Sequence, residues 1–295
     1  MKPEEQQPSY DAAFFQALEE GVARSAATVS GLIIDLVAPT SAVDVGCGTG
    51  LWLAALRSKG VTDILGIDGP WVPREQLAIP EDLFHEHDLA RPLTLDRRFD
   101  LALCLETAEH LPPEAAEPLV RALTELAPVV VFSAAIPEQR GEGHINLQWP
   151  HYWIDLFAAR GYRCSTVLRE RLWNAETVDV WYRQNILCFA AESHVDRLGA
   201  LFAAETRAGG GPVDIVHPGL FLEMCKNLGE YAAYTRQLKS QLRTAENELR
   251  SIETTLHKTR EQLRRIQGTL PYRLYKRLQP ALAAMRSFSN RTRRK

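Results

Sequence analysis

Between Pro39 and Ala191 short apolar runs alternate with amphipathic stretches, joined by connections of only a few residues. Strands are expected at Ala42–Val45, Ile64–Ile67, Phe84–His87, Phe99–Cys104, Val129–Phe132, Cys164–Leu168 and Asn185–Ala190. Helices are expected at Leu51–Lys59, Glu114–Leu126 and Pro150–Arg160. A further helix over 10–37 precedes them, with Phe14, Leu18, Val22, Ala26, Val29, Ile33 and Leu36 spaced by three or four. Strand–helix–strand units with short connections need a mostly parallel sheet covered on both faces. The expected fold class is α/β, doubly wound.

The chain has 295 residues, 45% of them hydrophobic, enough for one full-sized domain and an appendage. Its apolar runs are far shorter than the roughly 20 residues of a membrane span. The opening MKPEEQQPSYD is polar and acidic, without the apolar core of a secretory signal. Five cysteines (47, 104, 164, 188 and 225) lack CxxC spacing, which suits reduced thiols in a cytoplasm rather than disulfides or a zinc ribbon. The formal charge of −3 is divided unevenly: residues 268–295 carry +8, leaving −11 on the rest. An acidic body argues against a nucleic-acid partner.

The strand–helix rhythm fades near 191–194, and the domain is expected to occupy 1–194. A helix near Val195–Arg207 and the break Gly209-Gly-Gly-Pro212 then form a linker over 195–227. From Leu228 to Ile266 the positions 228, 231, 235, 238, 242, 245, 249, 252, 256, 259, 263 and 266 step by three and four without a slip. Only Thr235 and Thr259 among them are not apolar, and Glu, Arg, Gln and Lys fill the positions between. The expectation is a coiled coil over 228–267 that makes a homo-oligomer; the alternative is one long amphipathic helix folded back on the body. Gly268 and Pro271 are expected to end it. The basic tail 268–295, with Leu274, Leu278, Leu282 and Met285 in a weak stripe, suits either a peripheral contact with an anionic inner-membrane face or plain solvation.

The segment Val43-Asp-Val-Gly-Cys-Gly-Thr-Gly-Leu51 runs from a buried strand through Gly46, Cys47, Gly48 and Gly50 into a helix. Glycines there let a ligand approach backbone N–H groups closely. Nicotinamide enzymes use a similar turn, but their fingerprint needs a small residue where Leu51 stands. Asp44, two residues before the first glycine, suits a positively charged ligand group rather than a pyrophosphate.

These residues resemble the class I S-adenosylmethionine-dependent methyltransferases, over roughly residues 10–191. The resemblance implies a seven-stranded Rossmann-like sheet and S-adenosylmethionine as cofactor. It places Asp44 near the cofactor's amino-acid end, with Gly46, Cys47, Gly48 and Gly50 as the turn. Asp68, ending LGIDG, matches the acid that accepts both ribose hydroxyls, and Asp88-Leu89 the pair that reads the adenine. FDLALCLE, which contains Leu105, is similar to the fourth-strand motif leading into the active site.

Glu106, Glu109 and His110 stand at i, i+3 and i+4, one face if the segment is helical. With His144 they look like the metal set of ubiquinone-pathway and small-RNA O-methyltransferases. That resemblance implies one divalent cation, Mg²⁺, Mn²⁺, Fe²⁺, Co²⁺ or Zn²⁺, held by Glu106, Glu109, His110 and His144. Two other readings stay open: His110 or His144 as a metal-free general base, or structural roles, with His110 capping the helix that begins at Leu111-Pro-Pro and Glu109 as a helix-start acid.

In HINLQWPHYW (144–153), Trp149, Tyr152 and Trp153 could stack on a sugar while Asn146 and Gln148 bond its hydroxyls, or Trp153 and Tyr152 could lie in the core under the following helix. The run from SAAIPEQRGEGHINLQWPHYW through VWYRQN resembles bacterial methyltransferases associated with surface polysaccharide, which favours a glycan hydroxyl as acceptor and a glycan-assembly partner. The rivals are a small phenolic or quinone acceptor, and a cofactor-binding scaffold whose coiled coil recruits partners.

Overall fold

The computed structural model describes residues 12–202 and 213–292. The break expected at 209–212, the end of the helix expected to reach Arg207 and the last residues of the basic tail lie outside them. The chain divides into two compact units, Met1–Lys226 and Asn227–Lys295.

The first unit opens with α1 (Ala12–Val37), followed by β1 (Ser41–Val45), α2 (Leu51–Ser58), β2 (Asp63–Asp68) and β3 (Phe84–Glu86). Then come β4 (Leu101–Leu105), α3 (Ala116–Leu126), β5 (Val129–Ser133) and α4 (Pro150–Ala159). The unit continues through β6 (Tyr162–Ser165), α5 (Val167–Leu172), α6 (Val180–Asn185), β7 (Leu187–Ala191) and α7 (Gly199–Phe202). One seven-stranded sheet has the order β3-β2-β1-β4-β5-β7-β6. All pairings are parallel except those of β7, which runs antiparallel to both β5 and β6.

Both faces are buried, as near-continuous apolar strands require. On one face Leu101, Leu103 and Val131 pack against Val29 and Ile33 of α1 and Leu53 and Leu56 of α2. On the other, Ala102, Cys104, Val130 and Phe132 pack against Leu119 and Leu123 of α3 and Trp153 and Phe157 of α4. Successive strand residues therefore go to opposite layers. The strand order turns back between β1 and β4, so a crevice opens at their C-terminal ends, where ligands bind in sheets of this kind.

Two sequence expectations shift. Cys164–Leu168 is not one strand: β6 ends at Ser165, and Val167 and Leu168 are buried on α5. Asn185 does not open the last strand but ends α6.

The second unit consists of most of α8 (Pro218–Gly268), which starts in the first unit, and α9 (Leu270–Thr292). Gly268 ends α8 as expected, but Pro271 does not stop the chain's helicity. It sits in the first turn of α9, where a missing N–H costs nothing. Pro280 lies within α9. Of the ten apolar seam residues of α8 from Leu228 to Ile266, the nine larger than alanine are 45–64% exposed. No helix among the described residues is long and apolar enough to cross a membrane.

Candidate active site

The crevice is built on the β1–α2 turn. Gly46, Gly48 and Gly50 all have positive φ, at 85°, 52° and 83°. The amides of Gly46 and Cys47 both donate to Ile67 O, at 2.8 and 3.2 Å, which ties the turn to the end of β2. A Cβ on Gly46 would come within 2.3 Å of the Thr107 side chain, and one on Gly50 within 2.9 Å of Ile79. Glycine is thus demanded at both positions by backbone conformation and by space.

Asp68 at the end of β2 accepts hydrogen bonds from Gly48 N and Gly69 N, each at 2.7 Å. Burial pushes its carboxyl above the ordinary range, and those amides and the Trp71 side chain oppose the rise. Asp44 is 1% exposed, and its Oδ2 has no hydrogen-bond partner. Burial, and then the nearby Asp68, raise Asp44 to about 7. A buried carboxylate oxygen without a donor fits a ligand cation, and the α-ammonium of S-adenosylmethionine is one.

That fit has a pH consequence. A cation selects ionised Asp44, whose pKa of about 7 in the free protein leaves little of it ionised in acid. Affinity for the cofactor is therefore expected to fall about tenfold between pH 8 and pH 6, with proton uptake when the ligand leaves. Calorimetry in two buffers of different ionisation enthalpy reads both quantities. A flat affinity over this range would detach Asp44 from the ligand.

Asp88 and Leu89 follow β3, which pairs with β2 so that Asp68 stands opposite Glu86. Leu89 is buried. The Asp88 carboxylate is engaged locally, accepting Ala90 N at 3.0 Å and pairing with Arg91 at 3.3 Å. Leu105, at the end of β4, is buried as well.

Beyond Leu105 the chain does not continue as the helix that would put Glu106, Glu109 and His110 on one face. Glu106 adopts a left-handed backbone, φ 51°, and a single 3₁₀ turn covers Ala108–His110. The two glutamates consequently have different surroundings. The Glu106 carboxylate accepts Asn185 Nδ2 at 3.1 and 3.3 Å and Gln139 Nε2 at 3.2 Å. Glu109 is fully buried, accepts Ala135 N at 3.1 Å through Oε1, and leaves Oε2 without a hydrogen-bond partner. Burial, and then Glu106 beside it, push the Glu109 carboxyl well above the usual carboxylate range.

Glu109, His110 and His144 offer one ligand atom each, all within 4.8 Å of one another. Glu106 does not stand in that set. The two imidazoles meet edge to face with centroids 4.9 Å apart. His144 Nδ1 lies 3.1 Å from Gln139 O, so a proton there leaves the Nε2 lone pair available. Burial, and then His144, lower His110 to about 4, and burial lowers His144 too. Both rings are neutral near pH 7. The Glu109 carboxyl, once it gives up its proton, and two neutral imidazoles form a donor set that fits a divalent cation.

Of the acceptor-side residues, Trp149 is 36% exposed and Ile145 is exposed as well. Asn146 is buried with Nδ2 unpartnered, and its Oδ1 accepts Gln148 Nε2 at 3.0 Å. Trp153 belongs to the core, 5.0 Å from the Phe132 ring, and is not available to a ligand. Sequence reasoning passed over Gln139 and Thr107. The left-handed Glu138 (φ 67°) next to Gln139 has no signature in residue type.

Residues 14–153 match the sequence model of a family described as a methyltransferase domain. No curated protein sequence matches the chain. Among solved structures, the chain is similar to the sugar N-methyltransferase KedS8 from a Streptoalloteichus species. That match has 17% identity, covers 61% of this chain and 91% of that one, and has a TM-score of 0.48. It is also similar to S-adenosylmethionine-bound CalS10, an amino pentose methyltransferase from Micromonospora echinaspora (16%, 60% and 94%, 0.43). An O-methyltransferase family protein from Burkholderia thailandensis also matches (13%, 61% and 58%, 0.46). The glycine turn, Asp44 and Asp68, gathered at the β1–β4 crevice, all lie within the stretch 14–153 that matches the methyltransferase-domain model.

Proposed function

We propose that this protein is a metal-assisted O-methyltransferase acting on a glycan hydroxyl. The observation that carries the metal is the Glu109–His110–His144 cluster, on a segment that touches the glycine turn through Thr107. Thr107 Oγ1 reaches Gly46 O at 3.4 Å, so cofactor turn and cluster share one wall. A cation held by Glu109, His110 and His144 would lower the pKa of an acceptor hydroxyl and fix its direction. The chain's residues do the rest: Asp44 and the turn hold the donor's amino-acid end, and Asp68 holds its ribose.

In the transfer the acceptor oxygen forms a bond to the methyl carbon as the sulfur–methyl bond breaks. S-adenosylhomocysteine leaves uncharged, and the hydroxyl proton passes to a base or to water. His110, held to about 4, is a poor general base near neutrality but a good neutral ligand, which favours the metal reading over a metal-free base. Trp149, partly exposed three residues after Asn146 in the chain, supports a sugar ring as acceptor, since an aromatic face and amide donors suit a sugar's faces and its hydroxyls. Incubation with labelled S-adenosylmethionine and a panel of glycans, before and after chelation, tests this. Label transfer to a sugar that stops on chelation and returns with a divalent cation is expected; transfer indifferent to chelator overturns the metal.

The exposed seam of α8 supports a second part of the proposal, pairing with another copy of this chain as a coiled coil. Leucine occupies five of the six positions 228, 235, 242, 249, 256 and 263, a repeat that a second copy complements by symmetry. The double variant Leu249→Glu, Leu256→Glu is expected to lower the mass measured by light scattering to that of a single chain. An unchanged mass would assign the oligomer, if any, to another surface.

A further inference from the structure

We propose that Trp71 is a cofactor-site residue: in the free protein its indole stands in for the ribose on Asp68, and it must swing away for S-adenosylmethionine to bind. The inference rests on the cofactor reading of the site.

The Asp68 carboxylate already receives three donors, Gly48 N on Oδ2, Gly69 N on Oδ1 and the Trp71 side chain. A carboxylate has about four acceptor positions, so about one is left. A ribose diol brings two hydroxyls. One of the three resident donors has to leave, and two cannot. Gly48 N is fixed by the turn that Gly46 and Cys47 pin to Ile67 O, and Gly69 N belongs to the next residue of the chain. Trp71 is the one held only by a side chain, and it is 45% exposed.

Its exposure does not come from a loose loop. Pro70 and Pro73 fix the backbone on both sides. Val72 N donates to Gly69 O at 3.3 Å, and the Val72 side chain is buried with Cys47 and Phe84. Movement is therefore rotation of the indole about its own side-chain bonds.

The ring has a seat made for it. A Cβ on Gly69 would meet Trp71 ring atoms at 2.3–2.4 Å, although Gly69 is not among the glycines with positive φ. Space for the indole, not backbone conformation, is what requires glycine at 69. Once released, the ring stands at the rim of the ribose site as a flat apolar wall for the adenosine.

Two variants separate ring from seat without touching Asp68. Trp71→Phe keeps an aromatic ring but removes the N–H; on an exposed side chain it should not disturb folding. Gly69→Ala keeps the indole but denies it the seat. Calorimetry with S-adenosylmethionine and tryptophan emission are read on wild type and both variants. Both variants are expected to bind about three- to tenfold more tightly than wild type, the worth of one hydrogen bond no longer displaced. The emission change that cofactor causes in wild type should be lost in Trp71→Phe. Unchanged or weaker binding in both variants, or an emission change that persists in Trp71→Phe, overturns the proposal alone. Absence of binding by the wild type overturns the cofactor reading with it.

Discussion

Asp68→Ala is expected to abolish measurable S-adenosylmethionine binding, a loss of at least about 100-fold if two charge-assisted hydrogen bonds to the ribose disappear together. The effect has two sources. Asp68 is the acceptor for the diol, and it also fixes the amides of Gly48 and Gly69 at 2.7 Å, so the glycine turn loses its anchor. Asp68→Asn separates them. An amide keeps one acceptor oxygen but presents NH₂ to a backbone N–H, so its affinity should lie between wild type and alanine. Isothermal titration, with circular dichroism to show that both variants are folded, gives the answer. Alanine binding with wild-type affinity would place the ribose elsewhere.

The second large effect concerns the cluster. His144→Ala and Glu109→Gln should each reduce methyl transfer by about 10²–10⁴-fold, with metal content falling below one per chain. Cofactor affinity should stay near the wild-type value, because neither residue is part of the glycine turn or Asp68. Glu106→Gln is the informative contrast. Its carboxylate is held by Asn185 and Gln139, outside the Glu109–His110–His144 set. Replacing it should lower stability, since the amide would oppose two donors, while metal stoichiometry is retained. Loss of metal in Glu106→Gln with Glu109→Gln unaffected would reverse the two roles.

The central sheet was legible because buried parallel strands are short, almost wholly apolar runs bounded by turn residues, as in Ala42–Val45 and Val129–Phe132. The same signal misplaced Cys164–Leu168. There the apolar Val167 and Leu168 are buried on a helix that Thr166 opens, with its Oγ1 2.6 Å from Glu170. A run of five residues cannot distinguish the two periods. In the site, Asp44, the glycines and Asp68 could be read in advance because each is a residue type tied to one backbone demand or one charge. Glu106 could not. Its left-handed backbone turns the E-x-x-E-H face apart, and nothing in a glutamate announces φ 51°. Trp71 was equally silent, because its role depends on a glycine two residues earlier and on the carboxylate before that. The α8 seam was visible as a repeat, and the helix carries it, but the repeat says nothing about strand number or direction.

The claim on which everything else depends is that the β1–β4 crevice holds S-adenosylmethionine next to a metal. Calorimetric titration of the cofactor into purified full-length protein, before and after chelation, with metal analysis of the untreated sample, tests it most directly. One cofactor bound per chain in both titrations, with about one divalent metal per chain before chelation, is the expected result. No heat of binding in either titration would contradict it.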